Sequence, residues 1–316
     1  MNRPLSIQER HRQSVYQAMN YIEANLGDKL SLRSLAELTA YSPFHFHRLF
    51  KAVVGENPND YVKRLRLERA RIRVLLFPEE SLSEIALSCG FASSGDFSRS
   101  FKSCYGESAS TLRQQGAAQY RKICETDRKR IEGYSDTSYY NGVDAEGRPR
   151  VEARQTLKVA LRQLPSCWVV YERCLGREDA RDPQERVRQA FERVAARAVS
   201  HRDTVFQSMN IGLPHRFPLV VGSSHWGYDA CRTVPGPADE ISGLGCRRLD
   251  GGRYAILQVA RRDGWADALM ASFFYEWLPT SGYVLDDRRP LLERFRYADV
   301  GHAPDMECCI PVTIRG

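Results

Sequence analysis

From position 31 onward, apolar residues recur at helical spacing in short runs, and the runs come twice. Leu32, Leu35, Ala36 and Leu38 follow Ser31, whose side chain suits the free amides of a helix start. The pattern breaks at Ala40-Tyr41 and restarts at Ser42-Pro43. It then sets Phe46, Leu49 and Phe50 on one face of a second short helix that runs to Lys51. Fifty residues later Ser81 precedes Leu82, Ile85 and Ala86; the chain turns at Gly90-Phe91 and restarts near Ser93-Ser94 with Phe97 and Phe101 inward. From Phe46/Phe97 on, the offset is fifty-one, so the second turn holds one residue more than the first. Gly55-Glu56 and Gly106-Glu107 close the two copies. Between them, from about Asn59 to Leu76, Leu65, Leu67, Ile72 and Leu75 are interleaved with Lys63, Arg64, Arg66, Arg69, Arg71 and Arg73. The pattern predicts two helix-turn-helix copies joined by a long basic helix.

Such a motif places its second helix in the DNA major groove, and two unlike copies in one chain read two unlike half-sites without dimer symmetry. On one face of B-DNA the two helices must sit roughly 34 Å apart. With Phe46, Leu49 and Phe50 inward, Phe44, His47 and Arg48 face outward as candidate base readers; in the second copy Ser94, Asp96, Ser98 and Arg99 face outward. The arginines of the joining helix form a local cluster of the kind that neutralises phosphates.

Residues 117–151 begin as a basic tail and continue as Gly, Asp, Ser, Asn and Pro with no apolar period, which predicts a linker. Beyond it, strands are expected over Val159–Leu164, Cys167–Tyr171, Pro218–Ser223, Cys246–Arg248, Gly252–Val259, Leu291–Tyr297 and Cys308–Ile314. Helices are expected from Asp182 to His201, with Val187, Phe191 and Val194 on one face, and from Trp265 to Leu278. This order makes two similar strand-helix-strand units, an α+β domain over 152–316 behind an all-α tandem helix-turn-helix domain over 10–116.

The first half closely resembles the DNA-binding domain of the AraC/XylS family of transcription regulators. Both copies, the basic helix, and Gly90-Phe91 followed by Phe97-Ser98-Arg99-Ser100-Phe101-Lys102 carry the resemblance. By position it implies DNA-facing roles for Phe44, His47, Arg48, Ser94, Gly95 and Arg99, beside Ser98 from the outward set. Gly95 departs from the pattern, because a residue without a side chain makes no base contact there and loosens the helix. The second half resembles the GyrI-like effector-binding domain found at the C-terminus of Rob-type regulators. This likeness rests on Gly251-Gly252-Arg253-Tyr254-Ala255, Trp277-Leu278-Pro279-Thr280-Ser281-Gly282-Tyr283, Pro290-Leu291-Leu292-Glu293-Arg294-Phe295 and Glu307-Cys308-Cys309-Ile310-Pro311-Val312. It implies a groove for small, often cationic or aromatic molecules around a central Glu, here Glu293, with Tyr171, Trp226, Tyr228, Phe274, Trp277 and Tyr297 as candidate rings. The usual Tyr-Asp-x-Pro segment appears as Tyr228-Asp229-Ala230-Cys231, without its proline. A carboxylate among rings attracts a lipophilic cation through charge and ring quadrupole together.

Composition changes this picture little. The net charge of +7 in 316 residues is modest, so the placement of the arginines matters more than their number. Nine cysteines without a C-x-x-C pair suggest reduced thiols in a cytosol, and no run of eighteen apolar residues or secretory leader is present. The expectation is a cytoplasmic, non-enzymatic regulator without cofactor or metal. Its partners are double-stranded promoter DNA, RNA polymerase and a small effector, with activation as the implied output and repression left open. Two alternatives concern the C-terminal half: a small-molecule hydrolase using Glu293 with Tyr171, or a ligand-free partner-binding module.

Overall fold

The computed structural model describes residues 6–116, 157–177, 183–198, 208–215, 217, 225–238, 243–259, 269–270, 272–295 and 306–315. The first half carries α1 (Ile7–Ala24), α2 (Leu32–Leu38), α3 (Pro43–Val54), α4 (Pro58–Leu76), α5 (Leu82–Ser88) and α6 (Ser94–Tyr105), and residues 109–116 are helical as well. Each start is capped by a side chain that accepts from a backbone amide: Ser6, Ser31, Ser42, Asn57, Ser81 and Ser93 in turn. The caps Ser42 and Ser93 stand fifty-one apart and the turn residues Ala40 and Gly90 fifty apart, which identifies Ala92 as the extra residue of the second turn. Gly55 and Gly106 end α3 and α6 in the left-handed conformation, at φ 91° and 76°, which glycine adopts without steric cost.

The second half is an antiparallel sheet. Its strands are β1 (Val159–Leu164), β2 (Cys167–Arg177), β3 (Asn210–Pro214), β4 (His225–Val234), β5 (Gly245–Leu249), β6 (Gly252–Val259), β7 (Tyr283–Leu285), β8 (Leu292–Phe295) and β9 (Met306–Ile314). Their order is β1-β6-β9-β8-β3-β4-β2-β5, with β7 paired to the end of β9. Helix α7 (Pro183–Ala198) lies on β2 and β4, and a π-helical turn, Phe273–Trp277, packs with β6 and β9. Strands β3, β4 and β7 are additions to the sequence expectation. The expected strand at 218–223, the linker 117–151, Trp265 and Tyr297 lie outside the described residues. No helix among the described residues is long and apolar enough to cross a membrane.

Alternation along the strands sorts side chains onto two faces. The outer face carries Val170, Cys174, Tyr228, Ala230, Leu257, Glu293 and Cys308, under α7 and the π-helical turn. The inner face carries Val169, Tyr171, Ile211, Cys231, Ile256, Leu292 and Cys309. These inner residues share one core with Tyr16, Met19, Ile22, Phe46, Phe50 and Tyr61 of the helical half, so α1 is packed between the first helix-turn-helix unit and the sheet. Adjacent Cys308 and Cys309 divide between the two faces, as neighbours on a strand must.

The seam between the halves is polar as well as apolar. Arg173 grips Asp229 through two bonds of 2.7 Å, both side chains being fully buried, and its Nη1 lies 3.1 Å from Glu23 Oε1 of α1. Arg247 reaches the other Glu23 oxygen at 3.0 Å, and the Tyr61 hydroxyl of α4 donates to Glu23 at 3.2 Å. Asn20 donates to the Tyr171 hydroxyl at 2.8 Å, and Tyr16 donates to the Arg173 carbonyl at 3.0 Å. Further along α4, Arg69 and Arg73 hold Asp287, from the loop after β7, at 3.0 and 2.8 Å.

Candidate nucleic-acid interface and buried carboxylate

On α3, Phe46, Leu49 and Phe50 are buried, which turns the opposite stripe to solvent. Phe44 is 73% exposed, Arg48 is exposed and His47 half-buried. The Arg48 guanidinium lies 5.8 Å from the centre of the Phe44 ring, one helical turn back, a contact that steadies a long side chain. On α6, Ser94, Gly95, Ser98 and Arg99 are exposed over a buried Phe97, Ser100 and Phe101. Ser94 bonds Ser83 of α5 at 3.1 Å. The bare backbone at Gly95 has a structural counterpart: a Cβ there would stand 3.6 Å from Arg99 Nη1, so the Arg99 side chain lies back over the glycine.

The arginines of α4 correct the expectation that this helix supplies a phosphate-binding cluster. Arg64 pairs with Glu56 at 2.6 Å and Glu68 at 3.0 Å, Arg66 donates to the carbonyls of Leu26 and Asp28, and Arg69 and Arg73 share Asp287. Arg71 is buried, its guanidinium 4.6 Å from the Tyr105 ring centre. These charges hold the protein together, and of the six basic residues only Lys63 is fully turned to solvent.

The sheet brings together some of the expected effector-site residues. Glu293 on β8 accepts a hydrogen bond of 2.6 Å from the Tyr228 hydroxyl on β4, across β3. Between them lies Gly212, where a Cβ would fall 1.7 Å from that hydroxyl and 3.0 Å from the carboxylate; only a residue without one lets the pair meet. Phe191 of α7 packs edge-on against Phe295 and Tyr228, at 5.5 and 6.1 Å between ring centres, and Trp226 joins the same cluster. Phe274 and Trp277 belong to the neighbouring cluster, which includes Cys308, the cross-strand partner of Glu293; Phe273 stacks on Trp277 at 5.1 Å. Glu293 thus stands between two aromatic groups on one face. Burial raises its pKa, and the Tyr228 bond offsets this only in part. Among the described residues no Lys or Arg pairs with it.

Tyr171 is the exception. It faces inward, stacked 5.9 Å from Tyr16 of α1, so the sheet separates it from Glu293 and the hydroxyl that meets the carboxylate belongs to Tyr228. Phe295 and Phe191 were absent from the expected set. Alternation two residues beyond Glu293, and the apolar face of the Asp182–His201 helix, would have pointed to both.

Asp229 offers the contrast on the inner face. Burial alone would raise its carboxyl, yet Arg173 and His215, whose Nε2 lies 2.8 Å away, hold it far below the usual carboxylate range. Glu23 is likewise lowered, by Arg173 and Arg247 against burial.

Residues 35–115 match the family described as "Helix-turn-helix domain", and this region is a helix-turn-helix domain. Curated transcriptional regulators are among the relatives that match. "Probable transcriptional regulator LumQ" of Photobacterium leiognathi is 37% identical over 89 residues, 28% of this chain and 36% of the relative. The "XylDLEGF operon transcriptional activator" of Pseudomonas putida is 38% identical over 104 residues, 32% of each. The chain thus spans about a third of the length of the curated relatives it matches. Among solved structures, an AraC-type transcriptional regulator from Chromobacterium violaceum aligns at 31% identity over 32% of this chain and 90% of its own, with a TM-score of 0.30.

Proposed function

We propose that this chain is a DNA-binding transcription regulator of the AraC/XylS type, whose C-terminal half is a GyrI-like domain that senses a lipophilic cation. The DNA half of the reading rests on two capped recognition helices with exposed outer stripes. Helix α4, 19 residues or about 28 Å long, joins them as a rigid rod, compatible with two successive major-groove turns. Phe44, His47, Arg48, Ser94, Ser98 and Arg99 face the duplex, and Gly95 leaves room for Arg99 to be placed. The expected output is activation through RNA polymerase.

The sensor half rests on one observation: a carboxylate among aromatic rings, raised by burial, with no cationic partner among the described residues. Such a group is stabilised by a cation that brings its own apolar surface. Its cluster supplies Tyr228, Trp226, Phe191 and Phe295 on one side and Phe274 and Trp277 on the other.

Two measurements test these assignments. On a duplex selected from a random library by the whole chain, Arg48→Ala is expected to cost about 1–3 kcal/mol and to relax one base position. An equal loss on unrelated DNA would make Arg48 a phosphate contact instead. Titrating the chain with tetraphenylphosphonium, read by tryptophan fluorescence, is expected to saturate, and Glu293→Gln to weaken binding at least about tenfold, as for loss of a charged partner worth roughly 1.5–3 kcal/mol. Because only the ionised carboxylate attracts the cation and its pKa is raised, affinity is expected to rise with pH above the ordinary carboxylate range near 4.3 and then level off. A flat pH profile, or binding kept by Glu293→Gln, would remove Glu293 from the site. Hydrolysis products found by mass spectrometry would revive the enzymatic reading, now with Tyr228 beside Glu293.

A further inference from the structure

Two consecutive residues of β4 face opposite sides of the sheet, and each is tied to a different half of the proposed regulator. On the outer face the Tyr228 hydroxyl holds Glu293 at 2.6 Å. On the inner face Asp229 is clamped by Arg173 through two 2.7 Å bonds, and Arg173 in turn meets Glu23 of α1 at 3.1 Å. Glu23 also receives Arg247 and the Tyr61 hydroxyl of α4, the helix that fixes the spacing of the two recognition helices. The groups form an unbroken chain of contacts from the outer face of the sheet to the DNA-binding rod.

We propose that Tyr228-Asp229 is the coupling element between effector and DNA: a cation that takes Glu293 displaces the Tyr228 hydroxyl, and the movement of β4 reaches α1 and α4 through Asp229, Arg173 and Glu23. This rests on the reading of Glu293 as the cation site. Tyr228 is bonded to Glu293 in the structure, a positive ligand on that carboxylate competes with the bond, and Gly212 leaves bare backbone beside the hydroxyl. Asp229 has no such room, since it is fully buried among Arg173, His215 and Arg247 and carries its partners with it. A close-packed interior transmits such a displacement, because no void absorbs it. The shared core around Tyr16, Met19 and Ile22 leaves α1 no independent motion away from the sheet. The polar chain therefore sets where α1 sits and the apolar contacts keep it seated. The coupling is reciprocal: DNA must change cation affinity by the same factor as the cation changes DNA affinity, typically about 5- to 150-fold.

The test uses the full chain, tetraphenylphosphonium and the selected duplex, with each affinity measured in the absence and at saturation of the other ligand. For the wild type, equal factors within about 5- to 150-fold are expected in both directions. In Glu23→Gln, cation affinity without DNA stays within about twofold of wild type while the factor falls toward one, since cutting the polar chain removes an interaction free energy and leaves the cation site alone. Tyr61→Phe keeps the ring in the core and removes only the hydroxyl at Glu23. It is expected to reduce the factor in the same direction, and it serves if Glu23→Gln does not fold. Cation binding with a factor of one in the wild type, or an undiminished factor in both variants, overturns the coupling and leaves the cation site standing. Absence of cation binding overturns both.

Discussion

Replacing Arg173 with Met should cost the folded chain about 3–5 kcal/mol, the usual range when one partner of a buried ion pair is removed and the other stays behind. The reason is specific to this seam. Asp229 is fully buried and depends on two 2.7 Å bonds to Arg173; without them its charge is left to His215 at 2.8 Å and Arg247 at 3.9 Å. Glu23 loses one of its two arginine partners at the same time and keeps Arg247. Urea denaturation followed by far-ultraviolet circular dichroism reads the loss. Because the seam lies inside a core shared by the two halves, the wild type is expected to unfold in one transition and Arg173→Met in two, sheet and helices parting first. The double variant Arg173→Met with Asp229→Leu removes both charges and is expected to recover most of the stability, as apolar replacements of buried pairs do. A double variant as unstable as the single one would show that the pair supplies more than mutual neutralisation. The acid limb carries the same information. Asp229 and Glu23 are both held below their ordinary pKa values, so their contribution is fully present above the unfolded values of about 3.9 and 4.3 and is lost as pH falls through the folded ones. Stability is therefore expected to hold from neutrality to about pH 5 and to fall in stronger acid, less steeply in the double variant.

The helical half was legible because its signals are local. Caps, apolar spacing and closing glycines act within one or two turns, and both copies show them at matching positions. The sheet was legible only in part. Strand β4 is covered on both faces, with half-buried Tyr228 and buried Ala230 outward and buried Asp229, Cys231 and Thr233 inward, so it lacks a clean amphipathic alternation, and its buried Asp reads as a turn residue. Strand β3 is five residues long with Gly212 and Pro214 inside it. The roles of the α4 arginines were not legible at all. A helix of Arg and Leu looks the same whether its charges meet phosphate or protein, and the partner that decides, Asp287, stands more than two hundred residues further along the chain. The same holds for Tyr171. An aromatic residue in a strand can face either side, and the stack on Tyr16 depends on docking between the two halves that no local pattern encodes. For Glu293, the aromatic setting followed from resemblance, whereas the identity of its hydroxyl partner required the register of β4, β3 and β8.

Gly90→Ala and Ala40→Gly should shift stability in opposite directions although they alter matching positions of the two units. Both residues sit after a short first helix, where the following amide folds back: Tyr41 to the Ala36 carbonyl and Phe91 to the Ala86 carbonyl, each at 3.0 Å. Both have positive φ, 56° at Ala40 and 85° at Gly90. The left-handed conformation costs an L-residue about 1–2 kcal/mol. Ala40 bears that strain already, and its exposed methyl gives nothing back through burial. Ala40→Gly therefore gains about 0.5–1 kcal/mol, after the extra backbone freedom of glycine in the unfolded chain is deducted. At Gly90 the space is closed as well. A Cβ would lie 2.7 Å from the Leu26 carbonyl oxygen and 2.8 Å from the Arg66 guanidinium, and Arg66 is itself bonded to Leu26 and Asp28. The arginine could swing away only by giving up those bonds, and the carbonyl belongs to the backbone between α1 and α2. With forced repacking at about 1–3 kcal/mol added to the conformational strain, Gly90→Ala is expected to lose on the order of 3 kcal/mol. Denaturation midpoints at constant slope measure both changes. A neutral Gly90→Ala would mean that the Leu26 to Asp28 segment yields freely, and α4 would then be braced against α1 by less than Arg66 implies. A destabilising Ala40→Gly would mean that the first turn is held mainly by limiting its unfolded freedom, so that the two units, alike in sequence, would be kept in shape by different means.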